Sequence, residues 1–207
     1  MKKILYFLAI SLVFVFSACE DDDRAKAISG SYSLDASASN HWVYFSFEKG
    51  DSVKVSDPKN STDWDIAFSR FMIKTNGGKS GIGQAVVAAT YSTGQSGFDS
   101  LKTVSEHQSY IVFEKDDSVK VENYNPADPR KPIITTLVLS PVLYKWYNMV
   151  QADNKTVIQS KKIVYILKTA KGKYAKMYIT TYYGDDNVSG HYKFVYSYQP
   201  DGSDNFN

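Results

Sequence analysis

Apolar and polar residues alternate with a period of two over much of this chain. From His41 onward Val43, Phe45 and Phe47 fall on one side of an extended segment, and Trp42, Tyr44 and Ser46 on the other. Successive strand side chains point to opposite faces, so the pattern predicts a β-strand. Glu48-Lys49-Gly50-Asp51 predicts a turn, and residues 52–55 return as the second arm of a hairpin. Residues 63–74 predict a longer strand with Trp64, Ile66 and Phe68 on a core face. The aromatic register then slips to Phe71 and Ile73, which predicts a bulge near Ser69-Arg70.

Further strands are predicted over residues 84–90, 109–114, 118–124, 133–139, 144–150, 163–168, 174–183 and 191–198. Asp116-Asp117 and residues 170–173 read as short hairpin connections. Residues 76–83 form a Gly-rich loop, and Pro126, Pro129 and Pro132 break up residues 124–133. No stretch keeps a 3.6-residue period over three turns, and no internal repeat has a fixed period. Many short strands separated by turn signals predict an all-β sandwich or open barrel.

Composition agrees. Of 207 residues 14% are aromatic, 16 of them Tyr, and aromatic residues favour strands. A formal net charge of +2 gives no reason to expect a nucleic-acid partner, and a single Cys excludes an intramolecular disulfide.

The N-terminus reads as a targeting segment. Lys2 and Lys3 precede an apolar run over residues 4–16, interrupted by Ser11 and too short to span a bilayer. Phe16-Ser17-Ala18-Cys19 resembles a lipobox, which makes Cys19 the expected acylated residue and the source of a membrane anchor. Glu20-Asp21-Asp22-Asp23 reads either as a solvated linker or as a surface-export signal. The expected division is a signal peptide over 1–18, a lipid-anchored flexible tether over 19–40 and one all-β domain over 41–207. Loss of residues 1–18 removes two lysines and leaves a formal charge of zero.

Motifs for catalysis are weak. Gly77-Gly78-Lys79-Ser80 lacks the first P-loop glycine, since Ile73 stands there. Asp63 and Asp65 would share a strand face rather than oppose one another across a substrate, and read as surface acids or a strand-start cap. Asp185 to Gly190 has the start of a calcium loop, but Tyr196 holds the position of the bidentate Glu, and a hairpin turn is the better reading. His41, His107 and His191 form no metalloprotease motif, and no nucleophile elbow marks a triad. The chain is therefore expected not to be an enzyme.

More specific are "HWVYFSFEKGDSV" over 41–53 and "DWDIAFSRFMIKTNGG" over 63–78. With Ser160-Lys161 leading into Val164–Leu167, and "GKYAKMYITTYY" over 172–183 before the closing aromatic strand, they resemble the HmuY family of acylated, surface-exposed haem-binding lipoproteins. The resemblance implies two packed antiparallel sheets, with haem held between projecting loops by two axial side chains. It also implies capture of haem from host haemoproteins and delivery to a TonB-dependent outer-membrane receptor. Transferred to this sequence, it places one ligand between Trp146 and Ser160-Lys161, where Met149 is the donor, and the other beyond residues 118–124, where Tyr124 is nearest. His107 is a third candidate for the iron, and thioether is a haem ligand type. A second reading stays open: an interaction or adhesion lipoprotein on the same fold that has lost haem ligation.

Overall fold

A computed structural model describes residues 25–128, 130–152 and 155–207. Residues 1–24, including the signal segment, Cys19 and the acidic run, lie outside the described residues. The strands are β1 (Ile28–Asp35), β2 (Val43–Ser46), β3 (Asp51–Val53), β4 (Ile66–Ser69), β5 (Met72–Thr75), β6 (Val86–Thr93), β7 (Asp117–Asn123), β8 (Ile133–Leu139), β9 (Tyr147–Ala152), β10 (Lys155–Ser160), β11 (Ile163–Lys168), β12 (Tyr174–Tyr183) and β13 (Ser189–Tyr198). One helix, α1 (Gly94–Ser100), follows β6.

A first sheet has the order β1-β13-β12-β11-β6, and a second the order β3-β2-β4-β5. Every pairing in them is antiparallel. The two sheets pack through one aromatic-rich core. Phe45 lies 5.1 Å from Phe194 and Phe68 lies 4.8 Å from Tyr192, centroid to centroid. Edge-on and tilted pairs of this kind add to the area term of burial.

The centre of the first sheet is covered on both faces, which is why β11 reads as an unbroken apolar run. Tyr165 and Leu167 enter the core, while Val164 and Ile166 face a second cluster with Phe98, Leu101, Val104, Ile111 and Phe206. Lys176 of β12 reaches this outer layer. Its Nζ donates to the carbonyls of Phe98 and Leu101 at 2.7 and 2.6 Å, supplying donors to the last carbonyls of α1. Burial pulls the Lys176 pKa down to about 8.

Asp65 ties the sheets together at one end. Its carboxylate accepts from the backbone N–H groups of Phe47 and Ala170, both at 2.8 Å. It is a buried clamp and not a surface acid, and burial raises its pKa.

Several expectations change. Residues 63–74 are not one bulged strand: β4 and β5 form a tight hairpin, with Ser69 paired to Met72 and Arg70 at φ 52°. The apparent register slip is the turn. Trp64 is fully buried but packs edge-on to Tyr44 at 5.0 Å, away from the core that holds Ile66 and Phe68. Residues 28–35, read as tether, form β1, which zips onto β13 from Ile28↔Tyr198 to Asp35↔His191. Asp116-Asp117 is no hairpin connection, because residues 109–114 run beside β6, where Val87 bridges Glu114.

Candidate functional site

Two hairpins stand beside the sandwich in sheets of their own. The first, β7–β8, pairs from Asp117↔Leu139 to Asn123↔Ile133; the second, β9–β10, pairs from Tyr147↔Ser160 to Ala152↔Lys155. They are consecutive in the chain, and the link between them is anchored: Leu143 and Trp146 are buried in the core, and the Trp146 Nε1–H donates to the carbonyl of Phe71 at 3.0 Å.

The root of the first hairpin hangs on Asp116. This carboxylate accepts from the Thr75 N–H, the Thr75 hydroxyl and the Ser80 hydroxyl at 2.7, 2.6 and 2.7 Å. Burial pushes its pKa up to about 6, although Lys74 and these donors favour the charged form. Gly78, at φ +58°, lets the loop pass so close that an added Cβ would lie 2.2 Å from the Asp116 carbonyl oxygen. The second hairpin is fixed by the Ser160 hydroxyl donating to the Ile179 carbonyl at 2.5 Å, and by the Ile158 N–H donating to the Tyr183 hydroxyl at 2.8 Å.

Rigid roots carry exposed apolar arms. Ile133, Ile134 and Val138 are exposed on β8, as is Met149 on β9, paired with Ile158. Tyr124, just past β7, continues the face of Ile134 and Val138 by strand alternation. Tyr124 is 74% and Met149 61% exposed, so both donor atoms are open to a ligand. The connecting loop is ordered by Asn125, whose side chain donates to the Lys131 carbonyl at 2.8 Å, and it displays Arg130 and Lys131 beside Asp128.

His107 lies elsewhere. It ends the short 3-10 turn Ser105–His107 in the layer over the outer face of the first sheet, with its ring 5.3 Å from that of Tyr110. Tyr124 and Met149 thus belong to two hairpins that are consecutive in the chain, and His107 to neither. Among the described residues no hydrogen bond or ring contact joins any two of the three, and no group of three or more His, Cys, Asp or Glu side chains is placed to hold a metal.

A groove of about 350 Å³ separates the first hairpin from the outer face of the second sheet. Trp42, Met72, Lys74, Leu137 and Val138 line it. The Lys74 ammonium sits 4.4 Å from the Trp42 ring centroid and 5.3 Å from that of Tyr44, and burial lowers its pKa. Met72 is a second thioether that sequence reasoning missed. Its spacing of two from Lys74 puts both on the outer face, a relation legible only once the chain is known to turn at Arg70. The groove can receive a flat apolar group against Trp42 and Leu137, offer it the Met72 sulfur, and meet an acidic substituent with Lys74 or Lys79.

The fold has known counterparts. An apo HmuY analog, TFO, of Tannerella forsythia superposes with a TM-score of 0.60 at 25% identity, covering 86% of this chain and 100% of its own. A Bacteroides vulgatus protein described as HmuY-like and haem-binding gives 0.53 at 23% identity over 81% of this chain and 90% of that one. A Bacteroides fragilis protein described as a lipoprotein gives 0.55 at 21% identity, over 81% and 88%. None of the curated proteins compared with the chain matches it. The family profile described as HmuY protein matches residues 38–196, which is most of the chain, with both hairpins, the second sheet and the first sheet apart from β1. The chain belongs to the HmuY family.

Proposed function

We propose that the protein is a haem-binding surface lipoprotein which holds haem at its two hairpins and hands it to a TonB-dependent outer-membrane receptor. One observation carries the reading: a thioether is exposed on β9, and Ile133, Ile134 and Tyr124 are also exposed on the hairpin that precedes it in the chain, both on roots that are firmly bonded. Large apolar side chains left in solvent on ordered strands mark a ligand surface. Family membership and the neighbour described as haem-binding support the same cargo.

In this reading Met149 ligates iron and Tyr124 is the second donor, while His107 stays outside the site. A thioether is soft and uncharged and favours ferrous over ferric iron. Haemin titrated into the protein gives a saturable absorption change, tighter under dithionite than in air, and Met149→Ala erases most of that difference. Equal ferric and ferrous affinity, or an unchanged ferrous spectrum in Met149→Ala, would reject Met149; its persistence in Met149→Ala but not in Met72→Ala would move the ligand to the groove beside β5. The rival interaction module is favoured by residues 125–132, which contain neither His nor Met. No saturable haem spectrum in either redox state would establish that rival over a haem carrier.

Anchoring by Cys19 belongs to the same proposal and rests on the lipobox-like run before it. Cys19→Ala moves the protein from the detergent phase to the aqueous phase on partitioning; unchanged partitioning refutes the anchor.

A further inference from the structure

The second sheet does not cover the whole inner face of the first. Val87 of β6 is fully buried between the sheets, yet Ala89 and Tyr91, two and four residues on along the same face, are exposed, Tyr91 by 85%. Residues 110–114 run antiparallel beside this edge. Val87 and Glu114 exchange both backbone hydrogen bonds, at 2.9 and 2.8 Å, and the rings of Tyr91 and Tyr110 stack at 5.3 Å. Tyr110 and Val112 are exposed, while Ile111 between them is buried in the outer layer. The result is an uncovered patch of sheet face with a small residue, Ala89, at its centre.

A wall closes it on the far side. Val142, Lys145 and Lys161, from the turn between the hairpins and the end of β10, complete a cleft of about 400 Å³ that also includes Tyr165. This volume suits a small organic ligand. Two kinds of polar group border the cleft. Tyr165 is 1% exposed, cross-strand from Ala89, and its hydroxyl has no hydrogen-bond partner among the described residues. That hydroxyl is itself closed to solvent, so Tyr165 gives the cleft an apolar floor. The ammonium of Lys161 is held against the Lys145 carbonyl at 2.8 Å, and neither lysine makes an ion pair with a described residue. Burial raises the Tyr165 pKa, so the group is a donor and not an anion at neutral pH.

We propose that this cleft binds a small flat carboxylate, whose apolar body lies on Ala89 and Val112 against the Tyr91–Tyr110 pair and whose acid group meets Lys145 and Lys161. Glu114 at the other end of the cleft repels a second acid group there, so one carboxylate is preferred to two. The site is built from residues outside the strands of both hairpins, and it stands whether or not the hairpins hold haem.

The test is calorimetric titration of the protein with 2-naphthoate and with its neutral amide, 2-naphthamide. Saturable 1:1 binding of the acid is expected, with Kd on the order of 10–100 μM for a ligand of this size. The amide should bind about tenfold more weakly, and the Lys145→Ala/Lys161→Ala double variant should remove that preference. Ala89→Phe, which fills the cleft from an exposed position, should abolish binding of both. Met149→Ala should bind naphthoate as the parent does, which separates this site from the hairpin site. No saturable binding, binding indifferent to Ala89→Phe, or loss of naphthoate binding in Met149→Ala would each overturn the proposal.

Discussion

Phe45, Phe68 and Phe194 are 0% exposed between the sheets, whereas Ile133, Ile134 and Met149 are 49%, 51% and 61% exposed on the hairpins. Both regions are strand, and both are rich in large apolar residues. In the centre of the sandwich the strands have a facing sheet, so alternation becomes burial there. In the hairpins two strands pair only with each other, and a two-stranded unit cannot bury its own faces. Such a hairpin keeps its shape by borrowing from the body through Asp116, Trp146 and Ser160. Apolar side chains beyond those attachments contribute little to folding and remain free for a ligand.

The most direct way to break this contrast is to remove a ring from each side of it. Phe194→Ala should lower stability by about 3–5 kcal/mol, the usual range for truncating a buried aromatic, read from the denaturant midpoint. A shift below about 1 kcal/mol would mean that the core is not packed as described.

The attachment points should fall between body and arm, and pH separates them. Asp116 titrates at about 6 in the folded chain against 3.8 unfolded. Between those values the folded state holds a proton that the unfolded chain has released. Its contribution is therefore most favourable below pH 3.8 and is lost as pH rises through about 6, opposite to a salt-bridged carboxylate. The gap corresponds to on the order of 3 kcal/mol. Relative to Asp116→Asn, which cannot titrate, the parent should gain stability as pH falls from 7 to 4. A constant difference between the two proteins over that range would show that Asp116 is not desolvated at the hairpin root.

On the arms, Ile134→Ser and Met149→Ala should each change stability by less than about 0.5 kcal/mol, as substitutions at exposed sites do. If haem affinity falls while the denaturant midpoint stays, the division between body and binding arm is sharpened. If both fall together, the arm is structural.

Alternation carried most of the fold. The intervals read for β8, β11 and β12 coincide with the strands, because each alternates or runs apolar between clear turn signals. β1 escaped notice because Ile28-Ser29-Gly30-Ser31 has the composition of a linker; only its pairing with β13 makes it a strand. β10 is as polar as a loop and is defined by β9 opposite it. Arg70 hid the β4–β5 turn, since a non-glycine residue in the left-handed region leaves no signature. α1 spans two turns, too few for a helical period to register. At the site, Tyr124 and Met149 were reached through family resemblance, and their exposure is a tertiary fact. Ala89, Val112, Val142 and Tyr165 come from four separate elements, and nothing local marks them as neighbours.

The pairing of β1 has a mechanical consequence. The chain enters this strand at Ile28, so tension arriving from the N-terminal side pulls on the end of an antiparallel ladder and opens it one pair at a time. The first residues met, Ile28, Ser29 and Ser31, are exposed, whereas Leu34 and Ala36 are buried. The Ala36 N–H is further held by the Gly190 carbonyl at 2.8 Å. Peeling therefore meets little side-chain packing over the first four residues, 28–31, and then reaches Tyr32, whose ring packs on Phe45 and Phe194 and whose hydroxyl bonds Asp51, by which point the chain has lengthened by roughly 13 Å at 3.3 Å per residue. Under load β1 is a reserve of leash: it yields length before the sandwich yields structure.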